Sequence, residues 1–180
     1  KLDESVKKRL VADVPVGAFL SGGVDSSAVV ATAAKYKENI HTFSIGFENK
    51  EYDETAFAQK IAERYNTNHH TKILTDLDFH KLLDKVPTYY DEPLGDSSQI
   101  PTMFVSEIAK KYVTVSLSGD GGDELFGGYE RYREIRKYTV LNQIIKNTDF
   151  IWKKLIENNY NYYFSKKASY FADYGYYYFV

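Results

Sequence analysis

Seven residues, Ser21-Gly22-Gly23-Val24-Asp25-Ser26-Ser27, constrain this chain more than any other stretch. The apolar run Val14-Pro15-Val16-Gly17-Ala18-Phe19-Leu20 precedes them and has the length of a buried parallel strand. The run Ala28-Val29-Val30-Ala31-Thr32-Ala33-Ala34 follows and reads as a buried helix. A strand, a tight polar glycine loop and a helix start together make an anion site. Gly22 and Gly23 carry no Cβ, so backbone N–H groups can approach a phosphate closely. The helix start adds unpaired N–H groups and the positive end of its dipole. No Gly-Lys-Ser/Thr follows, so this is not a Walker loop. No third glycine stands at the spacing of a dinucleotide fingerprint. Instead, Asp25 lies inside the anion site. A carboxylate beside phosphates is repulsive unless a cation lies between them, which predicts Mg²⁺. The competing reading is a plain glycine turn, with Asp25 and Ser26 capping the helix.

The rest of the chain alternates in the same way. Leu2, Val6, Leu10 and Val11 share a helical face, which predicts a helix over about 3–12 ended by Asp13. A second strand is expected over 40–47. A helix should follow Tyr52-Asp53-Glu54, with Phe57, Ile61 and Tyr65 at successive fourth positions. Residues 68–74 read as a third strand, and 77–86 as a helix closed by Pro87. A polar segment over 89–98 leads into a helix carrying Phe104, Ile108 and Tyr112, and the β-branched run 113–117 is a short fourth strand. A second glycine loop, Ser118-Gly119-Asp120-Gly121-Gly122-Asp123-Glu124, then starts a helix carrying Leu125, Tyr129 and Tyr132. Strands alternating with helices predict an α/β fold, an open doubly wound parallel sheet with helices on both faces. Ligands of such sheets lie beyond the strand carboxyl ends, so both glycine loops should face one crevice.

That expectation gives the second loop a chemistry. Asp120 and Asp123 lie three apart among glycines, which let the backbone fold tightly while both carboxylates project. Asp123 is placed to share a Mg²⁺ with Asp25, bridging phosphates from two sides. Asp120 is placed to hold or deprotonate an incoming amine. A solvated acidic turn is the bland reading of the same residues. Asp91, Glu92, Asp96, Ser97 and Ser98 form a third polar cluster, with Asp96 or Ser97 a candidate helix cap and the carboxylates candidates for substrate positioning. The four histidines show no zinc spacing.

Composition narrows the class further. The 180 residues suffice for one domain with a core, and a formal charge of -2 argues against a nucleic-acid surface. There is no cysteine, hence no disulfide framework and no thiolate chemistry. No apolar run is long enough to span a membrane, and no signal peptide opens the chain, so a cytoplasmic protein is expected. The first residue is not Met, which suggests a piece of a longer protein. Residues 139–180 change texture: a helical period runs through Leu141, Ile144, Ile145, Ile151, Trp152 and Leu155, then the chain turns Tyr-rich. That tail reads as core or as an interface with missing sequence.

Several separated segments, in order, resemble the synthetase domain of glutamine-hydrolysing asparagine synthetases, within the N-type ATP pyrophosphatases. They are Val14-Pro15-Val16-Gly17 into the first loop, Thr42–Phe47, Tyr52-Asp53-Glu54, Asp91-Glu92-Pro93 and Leu117–Tyr129. The resemblance runs to about Tyr132. It implies an adenine nucleotide alpha hydrolase-like (HUP) fold, with 1–138 as the ATP-pyrophosphatase core and 139–180 as a helical, truncated part of the same domain. It implies ATP with its pyrophosphate on Ser21, Gly22, Gly23, Asp25, Ser26 and Ser27. Leu20, Ile45, Ser118 and Gly119 match positions flanking the nucleotide. Asp25 and Asp123 match the magnesium-pyrophosphate carboxylates, and Asp120 and Asp123 the catalytic acids.

The implied reaction is amidation of aspartate to asparagine through β-aspartyl-AMP, releasing AMP and pyrophosphate. Its substrates would be ATP, aspartate and ammonia. The family's ammonia comes from an N-terminal glutaminase domain that starts with a nucleophilic cysteine. This chain has neither, so free ammonia is the expected donor here. Many members carry Glu where Asp120 stands, and the family's adenylation lysine falls beyond the second loop, past the expected end of this chain. Two alternatives stay open: a relative with another carboxylate acceptor, of β-lactam synthetase or surface-polysaccharide type, and an ATP-binding fragment without complete catalysis. The sequence leaves room for a homo-oligomer and predicts no nucleic-acid or membrane partner.

Overall fold

The computed structural model describes residues 1–92, 95–130 and 132. Helices and strands alternate as α1 (Leu2–Arg9), β1 (Val16–Phe19), α2 (Val24–Ala33), β2 (His41–Phe47), α3 (Thr55–Arg64), β3 (Asn68–Leu74), α4 (Asp76–Leu83), α5 (Val86–Tyr89), α6 (Gln99–Ala109), β4 (Val115–Leu117) and α7 (Gly122–Phe126). The chain divides into two compact units, Lys1–Asp123 and Glu124–Val180, and the sheet belongs to the first. The helical pattern expected over 139–180 lies outside the described residues.

All strand pairs are parallel, in the order β3-β2-β1-β4. The central place of β1 follows from its composition: Val16 and Ala18 are buried and Gly17 fits beneath neighbouring side chains. The chain moves from β1 outward through β2 to β3, then returns to place β4 on the other side of β1. The order therefore reverses between β1 and β4, and such a switch point is where open parallel sheets leave a crevice at their carboxyl ends. The two glycine loops are the segments that leave β1 and β4.

Side-chain alternation separates two cores. Val16, Ala18 and Leu20 pack with Val6, Val30, Ala33, Ala58 and Ala62, so α1, α2 and α3 cover one face. Phe43 and Leu74 pack with Leu82, Met103, Phe104, Ile108 and Val113, and Phe19, Ile45 and Phe47 join them, so α4 and α6 cover the other. The expected α/β sheet with helices on both faces is what the structure has. Asn66, just past α3, takes a left-handed φ of 49°, the usual C-terminal stop, and its amide bonds Asn39 Oδ1 at 3.2 Å.

Five local expectations differ from the structure: one is that α7 stops at Phe126, so it carries Leu125 but neither Tyr129 nor Tyr132. The first helix ends at Arg9, leaving Val11 84% exposed. The buried stripe of α3 is Ala58 and Ala62, while Phe57 is 60% exposed, because only the alanines let the helix lie close to the sheet. Pro87 does not close a helix. It sits in the first turn of α5, where its missing N–H has no helical partner to lose. Tyr112 lies beyond the end of α6 and stacks on His70, with ring centroids 3.9 Å apart.

Candidate functional site

Ser26 ties the first loop together. Its Oγ lies 3.0 Å from Ser21 Oγ, accepts from Ser21 N at 3.3 Å and donates to Gly23 O at 3.2 Å. Ser21 Oγ also accepts from Gly23 N at 3.2 Å. With φ at +88°, Gly22 adopts a backbone that side-chain-bearing residues rarely take. A Cβ there would lie 2.7 Å from both Ala58 N and Phe57 Cβ, so the loop rests directly on the start of α3.

Gly23 is the N-cap of α2, and no side chain caps it. Asp25 and Ser26 therefore do not cap the helix, and the plain capping reading of this stretch falls. What is left is a ten-residue helix whose first N–H groups lack a side-chain acceptor, above a loop of small residues. Ser27 Oγ is buried with no hydrogen-bond partner among the described residues. Leu20 closes the strand side; it is buried, and its N–H donates to Phe43 O at 2.8 Å.

The second loop meets the first at two glycines. A Cβ on Gly119 would lie 2.8 Å from Ser26 N and 3.2 Å from Asp25 C. A Cβ on Gly122 would lie 2.5 Å from Asp25 Oδ2 and 2.8 Å from Asp25 Cβ. The Asp25 carboxyl thus rests against the bare Cα of Gly122, and Asp123 is the next residue in the chain. Ser118 and Asp120 are exposed, with Gly121 at φ +84° bending the loop tip. Ser21, Gly22, Gly23, Asp25, Ser26, Ser27, Gly119 and Asp123 therefore come to one place at the switch point. Ile45 belongs to the α6 side of the sheet, and Leu20 to the α2 side.

Among the described residues no three His, Cys, Asp or Glu side chains gather as a metal cage. Where the two loops meet, Asp25 brings its carboxylate against Gly122, and Asp123 follows Gly122 in the chain, so the acidic residues there are oxygen donors. That set suits Mg²⁺, which takes one or two carboxylates and completes its shell with phosphate oxygens and water.

The other predicted polar cluster acts structurally where it is described. Asp96 Oδ1 accepts from Ser98 N at 2.8 Å at the start of α6. That backbone bond, helped by the Ser98 side chain, holds the Asp96 carboxyl below its ordinary value of 3.8. Asp91 and Glu92 are exposed. Asp53, in the motif Tyr52-Asp53-Glu54, accepts from Thr55 N at 3.2 Å and Thr55 Oγ1 at 3.0 Å, pinning the start of α3. Gly46 leaves room for it, since a Cβ there would lie 2.8 Å from Asp53 Oδ1.

Three of the four histidines, His41, His69 and His70, bond to neighbours within the sheet. His69 bridges Thr42 Oγ1 at 2.9 Å and Ser44 Oγ at 3.1 Å. His41 Nδ1 lies 2.9 Å from His70 Nε2. Burial, with His70 beside it, lowers the His69 pKa, and burial with His41 beside it lowers that of His70. Sequence reasoning missed Gly122, because a glycine beside another glycine reads as turn chemistry. The signal available was that Gly122 opens a helix, where glycine is a poor choice unless something lies against it.

A parallel sheet in the order β3-β2-β1-β4, with a serine-knotted glycine loop and a second acidic glycine loop at its switch point, defines an open α/β domain with helices on both faces. The asparagine synthase family model matches residues 1–175, and the chain belongs to that family. It is 47% identical over 156 residues to a putative glutamine-hydrolyzing asparagine synthetase 2 of Methanocaldococcus jannaschii, covering 86% of this chain and 30% of that protein. Glutamine-hydrolyzing asparagine synthetase 1 of Bacillus subtilis is 44% identical over 131 residues, covering 73% of this chain and 21% of the relative. The chain thus spans less than a third of the curated relatives it matches. An NH3-dependent NAD synthetase from Campylobacter jejuni, solved with a nitrate ion, aligns with a TM-score of 0.49 at 17% identity over 71% of this chain and 57% of that one. The fold class rests on the sheet order rather than on that likeness.

Proposed function

We propose that this chain is the ATP-binding synthetase part of an enzyme that amidates aspartate to asparagine. In this reading the ATP pyrophosphate lies on the Ser21–Ser27 loop and the start of α2. Asp25 and Asp123 hold Mg²⁺, whose charge makes pyrophosphate a better leaving group. The aspartate side-chain carboxylate attacks the α-phosphorus, the bond to pyrophosphate breaks, and β-aspartyl-AMP forms. Ammonia then attacks the acyl carbon and AMP leaves, with Asp120 positioned to accept the amine proton. In the whole protein a glutaminase domain delivers the ammonia. Cytoplasmic placement belongs to the same proposal; among the described residues no helix is long and apolar enough to cross a membrane.

The observation that carries this reading is the contact of the second loop with Asp25, which sets two acidic glycine loops at one switch point. Pyrophosphate release from Mg-ATP with ammonia, measured with and without aspartate, tests it. Aspartate-dependent release with asparagine formed is the expected result. Release with a different carboxylate alone would transfer the site to another acceptor. ATP binding without release would reduce the chain to a binding fragment. Mg-ATP affinity unchanged in Asp25→Ala or Asp123→Ala would remove the metal assignment.

A further inference from the structure

Glycine at position 122 is not required by backbone conformation. Among the described residues the glycines with positive φ are Gly22, Gly121 and Gly127. Gly122 begins α7 with ordinary helical backbone, where alanine is the better helix former. What excludes alanine is Asp25: the added Cβ would fall 2.5 Å from Oδ2 and 2.8 Å from Cβ. The carboxyl tip could swing away, but the Asp25 Cβ is fixed to the backbone of α2. That backbone is itself held from the same loop, since Gly119 lies under Ser26 N and Asp25 C. On its other side the first loop rests on α3 through Gly22. Asp25 is therefore confined between a knotted loop, a helix start and two glycine Cα atoms three residues apart.

We propose that Gly122 is a positioning residue. Its bare Cα is the seat that selects the Asp25 side-chain conformation, and so sets how much Mg²⁺ strengthens ATP binding. Gly119 seats the backbone, and Gly122 seats the carboxylate. The metal part of this inference rests on the proposed ATP site; the seating part does not.

A ligand-free double-mutant cycle tests the seating alone. Gly122→Ala lowers the thermal midpoint of the 180-residue chain by roughly 3 °C or more. In an Asp25→Gly background, where the opposing side chain is gone, the same change leaves the midpoint unchanged or raises it, because alanine favours the helix. Equal losses in both backgrounds would overturn the seat. ATP titrations with and without Mg²⁺ test the consequence. Gly122→Ala cuts the Mg²⁺-dependent gain in ATP affinity by at least ~10-fold, the scale of one lost charge-assisted contact, and leaves metal-free ATP affinity unchanged. Equal loss with and without metal would show a general disturbance of the loop and overturn the positioning role. A parent protein with no ATP affinity, together with a cycle that shows coupling, would reject the proposed ATP site while leaving the seat intact. Should Gly122→Ala fail to fold, recovery of a folded protein in Gly122→Ala/Asp25→Gly would show the same coupling, and a double variant that also fails to fold while Asp25→Gly folds would overturn the seat.

Discussion

One face of the sheet is richer in small side chains, the other in large ones. The core under α1, α2 and α3 has four alanines, Ala18, Ala33, Ala58 and Ala62, beside Val6, Val16, Val30, Leu20, Ile40 and Leu117. The core under α4 and α6 has one alanine, Ala109, and is otherwise Phe43, Leu74, Leu82, Ile100, Met103, Phe104, Val105, Ile108 and Val113. Large side chains remove more apolar surface from water, so the α6 face contributes more hydrophobic stabilisation per residue. Small ones let backbone approach backbone. That approach is what the glycine loop needs, since Gly22 sits on the start of α3 and Gly119 under the start of α2. The sheet thus separates two tasks: one face holds the domain together, and the other places the site.

Removing Phe43 should break the first task with the largest effect. Its ring is fully buried and stacks near His70, with centroids 5.3 Å apart. Gly17 on the neighbouring strand leaves space for it, since a Cβ there would lie 2.8 Å from Phe43 Cε2. Phe43→Ala should lower the unfolding free energy by about 3–5 kcal/mol, measured by urea denaturation. The folded fraction should keep the parent's ATP affinity. A parallel loss of affinity would mean that the two faces do not act separately.

Overfilling the small face should do the reverse. Ala58 is fully buried in α3 and its N–H lies under Gly22. Ala58→Leu adds three heavy atoms to a close-packed seam and should destabilise by roughly 1–3 kcal/mol. Its larger consequence should be functional. Pushing α3 outward withdraws the support of the loop, so Mg-ATP affinity should fall by more than the stability change alone produces. Unchanged affinity would show that Gly22 does not depend on α3.

The legible parts of this fold were those written as runs. The strand over 68–74 and the one over 40–47 stand within a residue of where their apolar and β-branched composition put them. The parallel sheet followed from the alternation of strands and helices. The two loops could be expected at one crevice because both follow strands. Legibility failed where the deciding partner was distant in sequence. Nothing local says that α3 buries its alanines rather than Phe57, because the closeness of the sheet decides that. Pro87 looked like a stop because proline ends helices, but it starts them equally well. Gly122 was hidden because its reason is Asp25, almost a hundred residues earlier.

The smallest expected effect concerns pH, and it distinguishes the faces once more. On the small face His69 sits in a polar ladder, with Thr42 on Nδ1 and both Ser44 and Thr71 on Nε2. A neutral ring donates from one nitrogen and accepts on the other; a protonated ring must donate from both and bury a charge. On the large face His41 and His70 share one hydrogen bond, which needs one neutral ring. Both His69 and His70 have pKa values below the ordinary 6.5. The unfolded chain therefore binds more protons in the window below 6.5, and stability falls as the pH drops through it. Urea midpoints should be level above about pH 7 and decline towards pH 5.5. His69→Gln keeps an uncharged donor and acceptor in the ladder and should flatten that decline. His70→Gln should flatten it less, because His70 lies nearer solvent and its ring can take up a proton with less loss. A profile that keeps its full slope in the double variant would place the acid sensitivity outside both histidines.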